Sequence, residues 1–434
     1  MKKYDSYKDS GIEWIGEIPS HWGYSPVKYF TEIINGSTPS SSEESYWDGD
    51  INWVTTDDLG KLNQKYIFNT RRTITELGYK SCGTTIAPKG SVVISSRAPI
   101  GHLGILKIDA CTNQGCKTLI PKNINSEFLH YYLLIGKNEL EALGQGSTFK
   151  ELPTSALKGF KIISPPIEEQ TTIANYLDQK TTQIDDLIAK KERLIQLLEE
   201  ERTAIINQAV TKGLDPSVPM KDSGIEWLGE IPDHWELWKI SHAFKRIGSG
   251  TTPESGNPLY HDNGTINWLN TGDLNDSEVV SCNKKITEQA IKDYTSLKLF
   301  PAGSLVMAMY GATIGKTGII KFDTTTNQAC CVFCKGEIID LKFLQYWFFA
   351  KKENIINLAI GGGQPNISQN ILKDSRVNCP EISEQIRIVQ YLDSSTKEVD
   401  LVISKTNEEI ELLKEYKTAL ISEVVTGKVD VRNS

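Results

Sequence analysis

The sequence predicts an α+β chain: two β-rich domains separated by two long coiled-coil helices, with an internal pseudo-two-fold duplication. Three observations point there. A stretch free of Gly and Pro occurs twice, at 168–211 and 383–426, offset by 215 residues. A Trp-rich segment, DSGIEWIGEIPSHW at 9–22, returns as DSGIEWLGEIPDHW at 222–235. Between each Trp-rich segment and the following long stretch lie short apolar runs divided by Gly, Pro and Asn, the pattern of a sheet with long loops.

In chain order, each Trp-rich segment reads as an irregular docking strap. Trp14, Trp22, Trp227 and Trp235 are its apolar anchors, and His21 and His234 are structural. Within the β-rich regions, Gly36-Ser37-Thr38-Pro39 matches Gly250-Thr251-Thr252-Pro253, and Ile51-Asn52-Trp53 matches Ile266-Asn267-Trp268. Pro88-Lys89-Gly90-Ser91 and Pro301-Ala302-Gly303-Ser304 each open an apolar run. Thr112-Asn113-Gln114 recurs as Thr326-Asn327-Gln328. A shorter helix is expected at 126–143 and at 340–359.

The long stretches carry an a/d heptad seam. One runs Leu177, Ile184, Ile188, Ile195, Leu198, Ile205, Ala209; its mate runs Leu392, Val399, Ile403, Ile410, Leu413, Leu420, Val424. Lys191 and Arg202 interrupt the first, Thr406 and Lys417 the second, at equal phase. Polar seam residues weaken packing and set register. A helix with one apolar stripe needs a partner, and the other copy supplies one. Each helix would be roughly 60–65 Å long. The expected division is 1–165, 166–213, 214–380 and 381–434. If the helices lie antiparallel, the first strap reaches the end of the second helix.

A chain of 434 residues has material for two or more real cores. No apolar run is long enough to span a membrane and the N-terminus is no signal peptide, so a soluble, cytoplasmic protein is expected. Net charge is −8, which argues against nucleic acid, but the acid sits on the helices. Residues 1–165 carry 18 Lys/Arg against 17 Asp/Glu, and 216–380 carry 16 against 17. Segments 166–215 and 381–434 are each net −4. Charge alone therefore does not predict a DNA binder.

Three motifs invite chemistry and fail on inspection. Gly311-Ala312-Thr313-Ile314-Gly315-Lys316-Thr317 has three residues between its glycines, where a phosphate loop has four, and a strand pattern follows. Ser164-Pro165-Pro166-Ile167 resembles the tetrapeptide of amino-methyltransferases but lacks the aromatic fourth residue that stacks a flipped base. Cys331-x-x-Cys334 has no second pair nearby and reads as buried thiols on a strand. No His pairing suggests a triad or a metal site.

The two copies match in their helices and straps but differ in their loops. TTDDLGKLNQKY stands against NTGDLNDSEVV, and SSRAPIGHLG against AMYGATIGKTG. A duplicated frame with two loop sets fits a protein that reads two different things. With its DSGIEWLGEIPxHW straps and QxxIxxYLDxxTxxID helix openings in duplicate, the chain resembles, over its whole length, the specificity subunit of type I restriction-modification enzymes. The resemblance implies two target-recognition domains, each reading half of a bipartite double-stranded DNA site, and an antiparallel coiled coil that sets the gap. It implies no catalytic centre, metal or cofactor in this chain. S-adenosylmethionine, ATP and magnesium would belong to two modification subunits and two restriction subunits. A spine of ~60 Å exceeds one duplex turn of ~34 Å, which suits a split target.

The residues expected to read DNA are polar loop positions. In the first domain they are Ser37, Thr38, Thr55, Thr56, Arg97, Thr148 and Lys150. In the second they are Thr251, Thr252, Asn270, Thr271, Tyr310, Lys316, Gln364 and Asn366. Asn113, Gln114, Asn327 and Gln328 are identical between copies and are expected to support turns, because identical residues do not read different half-sites. A coiled-coil scaffold that binds only protein and a stand-alone enzyme are the competing readings.

Overall fold

In the computed structural model, residues 2–146, 150–358 and 366–433 are described. The chain forms two units, Met1–Lys191 with Glu408–Ser434, and Glu192–Asn407. Each unit therefore contains part of both long helices.

The first unit contains β1 (Thr31–Asn35), β2 (Trp47–Val54), β3 (Tyr66–Ile67), β4 (Thr73–Ile74), β5 (Val92–Ser95), β6 (Leu103–Leu106), β7 (Ala110–Thr112) and β8 (Cys116–Pro121). One sheet has the order β1-β8-β5-β6-β3, with β3 joining parallel to β6. A second has the order β7-β2-β4, with β7 parallel to β2. In the second unit the strands are β9 (Ile247–Gly248), β10 (Ile266–Leu269), β11 (Ser277–Val279), β12 (Lys285–Ile286), β13 (Leu305–Ala308), β14 (Thr317–Ile320), β15 (Thr325–Thr326) and β16 (Cys330–Phe333). They repeat both topologies, β9-β16-β13-β14-β11 and β12-β10-β15, including the two parallel pairs.

The central strands β5 and β6 are buried at every residue. Their faces serve two cores, as expected for a strand covered on both sides. Val92 and Ile94 pack with Phe128 and Leu129, while Val93 packs with Val54 and Cys116. Likewise Cys331 faces one core and Cys330 and Cys334 the other. Cys331 and Cys334 therefore point to opposite sides of the strand, where one ion cannot take both.

Helix α1 (Ser126–Ile135) begins on the Asn125 side chain, which accepts the Phe128 N–H at 2.9 Å. The single helix expected at 126–143 is broken at Gly136, where a Cβ would lie 2.9 Å from the Phe160 ring. The helix resumes at Lys137–Ala142. Strand Lys161–Ser164 then leads through Pro165-Pro166 into α2 (Ile167–Lys212). The Gln170 amide secures this entry, donating to Pro165 O at 2.8 Å and accepting from Asn125 N–H at 2.9 Å. In the second unit, α3 (Leu341–Ala350) leads into strand Arg376–Cys379 and α4 (Ile382–Val425). Gln385 repeats the clamp on Pro380 O and Asp340 N–H.

The two long helices pack against each other in the manner of a coiled coil, and within each unit they run antiparallel. In the first unit the start of α2 and the end of α4 meet at Trp22. Its indole N–H donates to Glu169 at 2.8 Å, and its ring lies against Gly427 just past α4. In the second unit Trp235 donates to Glu384 at 3.2 Å and lies against Gly213 just past α2. Both glycines have positive φ, +75° and +77°, the left-handed conformation that ends helices. Trp22 and Trp235 are fully buried, whereas Trp14 and Trp227 are half-buried. His21 and His234 share the same two glutamates, at 2.7 and 2.9 Å.

Every seam position is buried or half-buried. Three of the four interrupting residues pair across the helices: Lys191 with Glu409, Lys417 with Asp185 at 2.6 Å, and Arg202 with Asp400 at 3.0 Å. The fourth, Thr406, is buried and returns its hydroxyl to Val402 O at 2.8 Å.

The repeated YLD motif locks helix to domain. Asp178 accepts the Tyr131 hydroxyl at 2.7 Å and pairs with Lys65. Asp393 accepts Tyr346 at 2.7 Å and pairs with Lys342 at 2.5 Å. Beside the first lock, His130 is buried with Nδ1 unpartnered. Burial foremost, then Lys65, pushes its pKa down to about 4. The unfolded chain takes up a proton below the ordinary value of ~6.5, and the fold refuses it until about pH 4. Stability is thus unaffected above that window and falls as pH drops through it, by on the order of 3 kcal/mol. The second copy has Gln345 here. His130→Gln is expected to flatten the pH dependence of the urea midpoint between pH 6.5 and 4; an unchanged slope would assign the acid sensitivity elsewhere.

Candidate nucleic-acid interface

The loops at one end of the sheets converge through backbone hydrogen bonds. In the first unit Ser37 N–H donates to Thr112 O at 2.9 Å, and Asn113 N–H to Val54 O at 2.9 Å. Ser96 N–H donates to Gly115 O, and Leu152 N–H to Ser96 O, both at 2.7 Å. These bonds bring Ser37, Thr38, Thr55, Thr56 and Arg97 to one surface, with Lys150 adjoining. In the second unit Asn327 N–H donates to Leu269 O at 3.1 Å, Met309 N–H to Ala329 O at 2.8 Å, and Ile367 N–H to Met309 O at 2.8 Å. Together with the Gly250 contact described below, they gather Thr251, Thr252, Asn270, Thr271, Tyr310 and Asn366 in the same way. Lys316 lies at the far end of its turn, where its carbonyl accepts Ala308 N–H at 2.8 Å. Thr148 and Gln364 lie outside the described residues.

Glycine makes the convergence possible. A Cβ on Gly36 would lie 1.9 Å from Asn113 O, and one on Gly250 would lie 1.7 Å from Thr326 O. Only glycine lets these backbones approach so closely. The following threonines are tied to the repeated glutamines. Thr38 donates to Gln114 Oε1, and Thr252 to Gln328 Oε1 at 2.6 Å. The Asn113 and Asn327 side chains each accept an N–H two residues on, both at 3.1 Å, which closes the turn.

Several expected residues already have partners. Thr55 forms a capping box with Asp58, and Asn270 forms one with Asp273. An acid three residues after the cap, as in both pairs, is a legible capping signature. Arg97 donates to Glu151 at 3.0 Å. Lys117, beneath them, has its ammonium pKa lowered by burial, with Arg97 pushing the same way and Glu151 opposing.

Sequence reasoning passed over the cations that overlie the core tryptophans. The Arg72 guanidinium lies 3.7 Å from the Trp47 ring centroid, and the Lys284 ammonium 5.7 Å from Trp268. The two occupy equivalent places, since Trp53 N–H donates to Arg72 O and Trp268 N–H to Lys284 O. A basic residue at this place in both copies, Arg72 and Lys284, each beside a second cation, was the available sign. Lys284, Lys285 and His261 line a recess of about 480 Å³ with Thr252 and Asn270.

The motifs that invite other chemistry are structural. Gly311–Lys316 is a turn between β13 and β14, and no helix follows it. Ser164 ends its strand opposite Gly23, and Pro165 O accepts the Gln170 amide at 2.8 Å, so the Ser-Pro-Pro-Ile segment is the hinge into α2.

Both copies match one family model, described as the type I restriction modification DNA specificity domain, over residues 19–198 and 232–412. The chain is 30% identical over 429 residues to the type I restriction enzyme MjaIX specificity subunit of Methanocaldococcus jannaschii, spanning 96% of this chain and 95% of that one. It is 22% identical over 434 residues to the EcoKI specificity subunit of Escherichia coli, spanning 90% and 87%. A chain solved for the assembly and conformational transition of the type I R-M system shares its fold. The TM-score is 0.74 at 13% identity, over 95% of this chain and 99% of that one. The HsdS subunit from Thermoanaerobacter tengcongensis does so at 0.59 and 14%, over 95% and 98%. With both halves of the duplication matched, the chain belongs to the type I restriction-modification specificity-subunit family.

Proposed function

We propose that this chain is the non-catalytic DNA-recognition subunit and scaffold of a type I restriction-modification complex. One observation carries the reading: the same strand topology is built twice and presents different side chains at the same loop positions. A frame held constant while its loops vary is what recognition of two unlike half-sites requires. Residues 1–165 and 214–380 would each read one half of a bipartite site. The helices at 166–213 and 381–434 would set the gap and seat two modification subunits, which carry S-adenosylmethionine. Two restriction subunits, using ATP and magnesium, would complete a cytoplasmic assembly. Among the described residues no helix is long and apolar enough to cross a membrane.

The candidate base contacts are Ser37, Thr38, Arg97 and Lys150 in one domain, and Thr251, Thr252, Tyr310 and Asn366 in the other. Near-neutral reading surfaces suit this arrangement, because partner subunits can supply phosphate-binding charge while the domains supply base-edge donors and acceptors. The test is to express the chain with its modification subunit and map methylated adenines. A two-part motif is expected; a stable protein complex that ignores DNA sequence would leave only a scaffold. Turnover by the purified chain alone, given DNA, magnesium and S-adenosylmethionine, would make it an enzyme. Adding one helical turn to the helix pair, ~5.4 Å, is expected to change the gap and leave both half-sites as they were. An unchanged gap in the methylome would remove the ruler from this reading.

A further inference from the structure

At one place the units are alike in backbone and different in chemistry. Arg97 forms an antiparallel bridge with Glu151, and Tyr310 forms one with Asn366. The adjoining bonds match, from Leu152 N–H to Ser96 O and from Ile367 N–H to Met309 O. Each bridge stands beside the turn that bears Gln114 or Gln328. One two-residue frame is thus presented twice, filled by Arg and Glu in the first unit and by Tyr and Asn in the second.

In the first unit Arg97 Nε donates to Glu151 Oε2 at 3.0 Å, and the two side chains are 49% and 42% exposed. Among the described residues, no atom accepts from the two terminal amino groups. A guanidinium held through Nε has its plane fixed and keeps two parallel donors, the pattern that meets O6 and N7 of guanine. Without the acceptor, the side chain must be ordered at the moment of binding, which costs affinity. A carboxylate on a DNA-facing surface repels phosphate, so its presence there calls for a specific role. In the second unit the frame holds no charge. The Asn366 amide offers one donor and one acceptor, the pattern that meets N7 and N6 of adenine.

We propose that this frame is a specificity-determining position in both halves. Glu151 is a positioning residue that orients Arg97 on a guanine in the half read by the first unit. Asn366 reads an adenine in the half read by the second. The proposal rests on the DNA-recognition reading above, and the test separates the two.

The experiment uses the full chain in complex with its modification subunits, selecting targets from a library of randomised duplexes. Failure of the unaltered complex to select any two-part target overturns both readings. Where it selects one, Glu151→Ala is expected to reduce discrimination at one guanine of one half by roughly 5- to 150-fold. Affinity for random duplex should hold or rise, since an acid has been removed. Glu151→Gln keeps an acceptor for Nε and is expected to restore most of the discrimination. Asn366→Ala is expected to relax one adenine in the other half. In each variant the untouched half reports folding, because its preferences should persist. Unchanged preferences in Glu151→Ala, a uniform loss on all sequences, or relaxation at a base other than guanine would overturn the proposal.

Discussion

Trp22→Ala is expected to destabilise the first unit by about 3–5 kcal/mol, the usual cost of emptying a fully buried tryptophan site. The side chain sits where three segments meet: the strap, the start of α2 and the turn after α4. Its removal opens a cavity against Gly427 and leaves Glu169 with His21, Arg432 and the Tyr4 hydroxyl as partners. Trp22→Phe separates the two contributions. It keeps most of the apolar volume and loses the indole donor to a carboxylate, a loss of about 1.5–3 kcal/mol. Thermal unfolding of the two variants beside the parent measures the difference. Equal, small shifts in both would mean that the strap is peripheral to folding. Trp235→Ala tests the same geometry in the second unit.

Gly250→Ala carries the second large effect, and it falls on recognition. A methyl group 1.7 Å from Thr326 O cannot be accommodated by a rotamer change, because both partners are backbone. The loop must move away, at about 1–3 kcal/mol of strain. Thr251 and Thr252 move with it, and the Thr252–Gln328 bond is lost. The expected result is loss of preference across several bases of one half-site, with the other half intact. Gly36→Ala should do the reverse. Methylome sequencing of cells that carry each variant reads both outcomes, and loss of both halves in one variant would mean that the damage is global.

The parts of this chain that were legible in its sequence are those governed by local rules. Heptad spacing located α2 and α4, and the repeated straps located the tryptophans that close each unit. The Gly-Ser-Thr-Pro and Gly-Thr-Thr-Pro turns marked where a tightly packed loop of each unit begins. What was hidden depends on partners distant in the chain. Nothing near Lys65 announces that it meets Asp178, and nothing near Tyr66 announces a parallel edge strand beside β6. The helix break at Gly136 recurs at Lys351 in the second unit, so no residue type at that place announces it. The Arg97–Glu151 pair spans a loop whose length hides it from any periodicity.

The two aspartate locks differ in one respect. Asp178 takes its cation from Lys65, in the stretch leading into β3, whereas Asp393 takes its cation from Lys342, on α3. Each β-rich domain therefore carries its own plug for an aspartate that serves as a common socket. The helix thus keeps one carboxylate while the element that docks on it changes from unit to unit, so the contact is conserved in chemistry and free in origin.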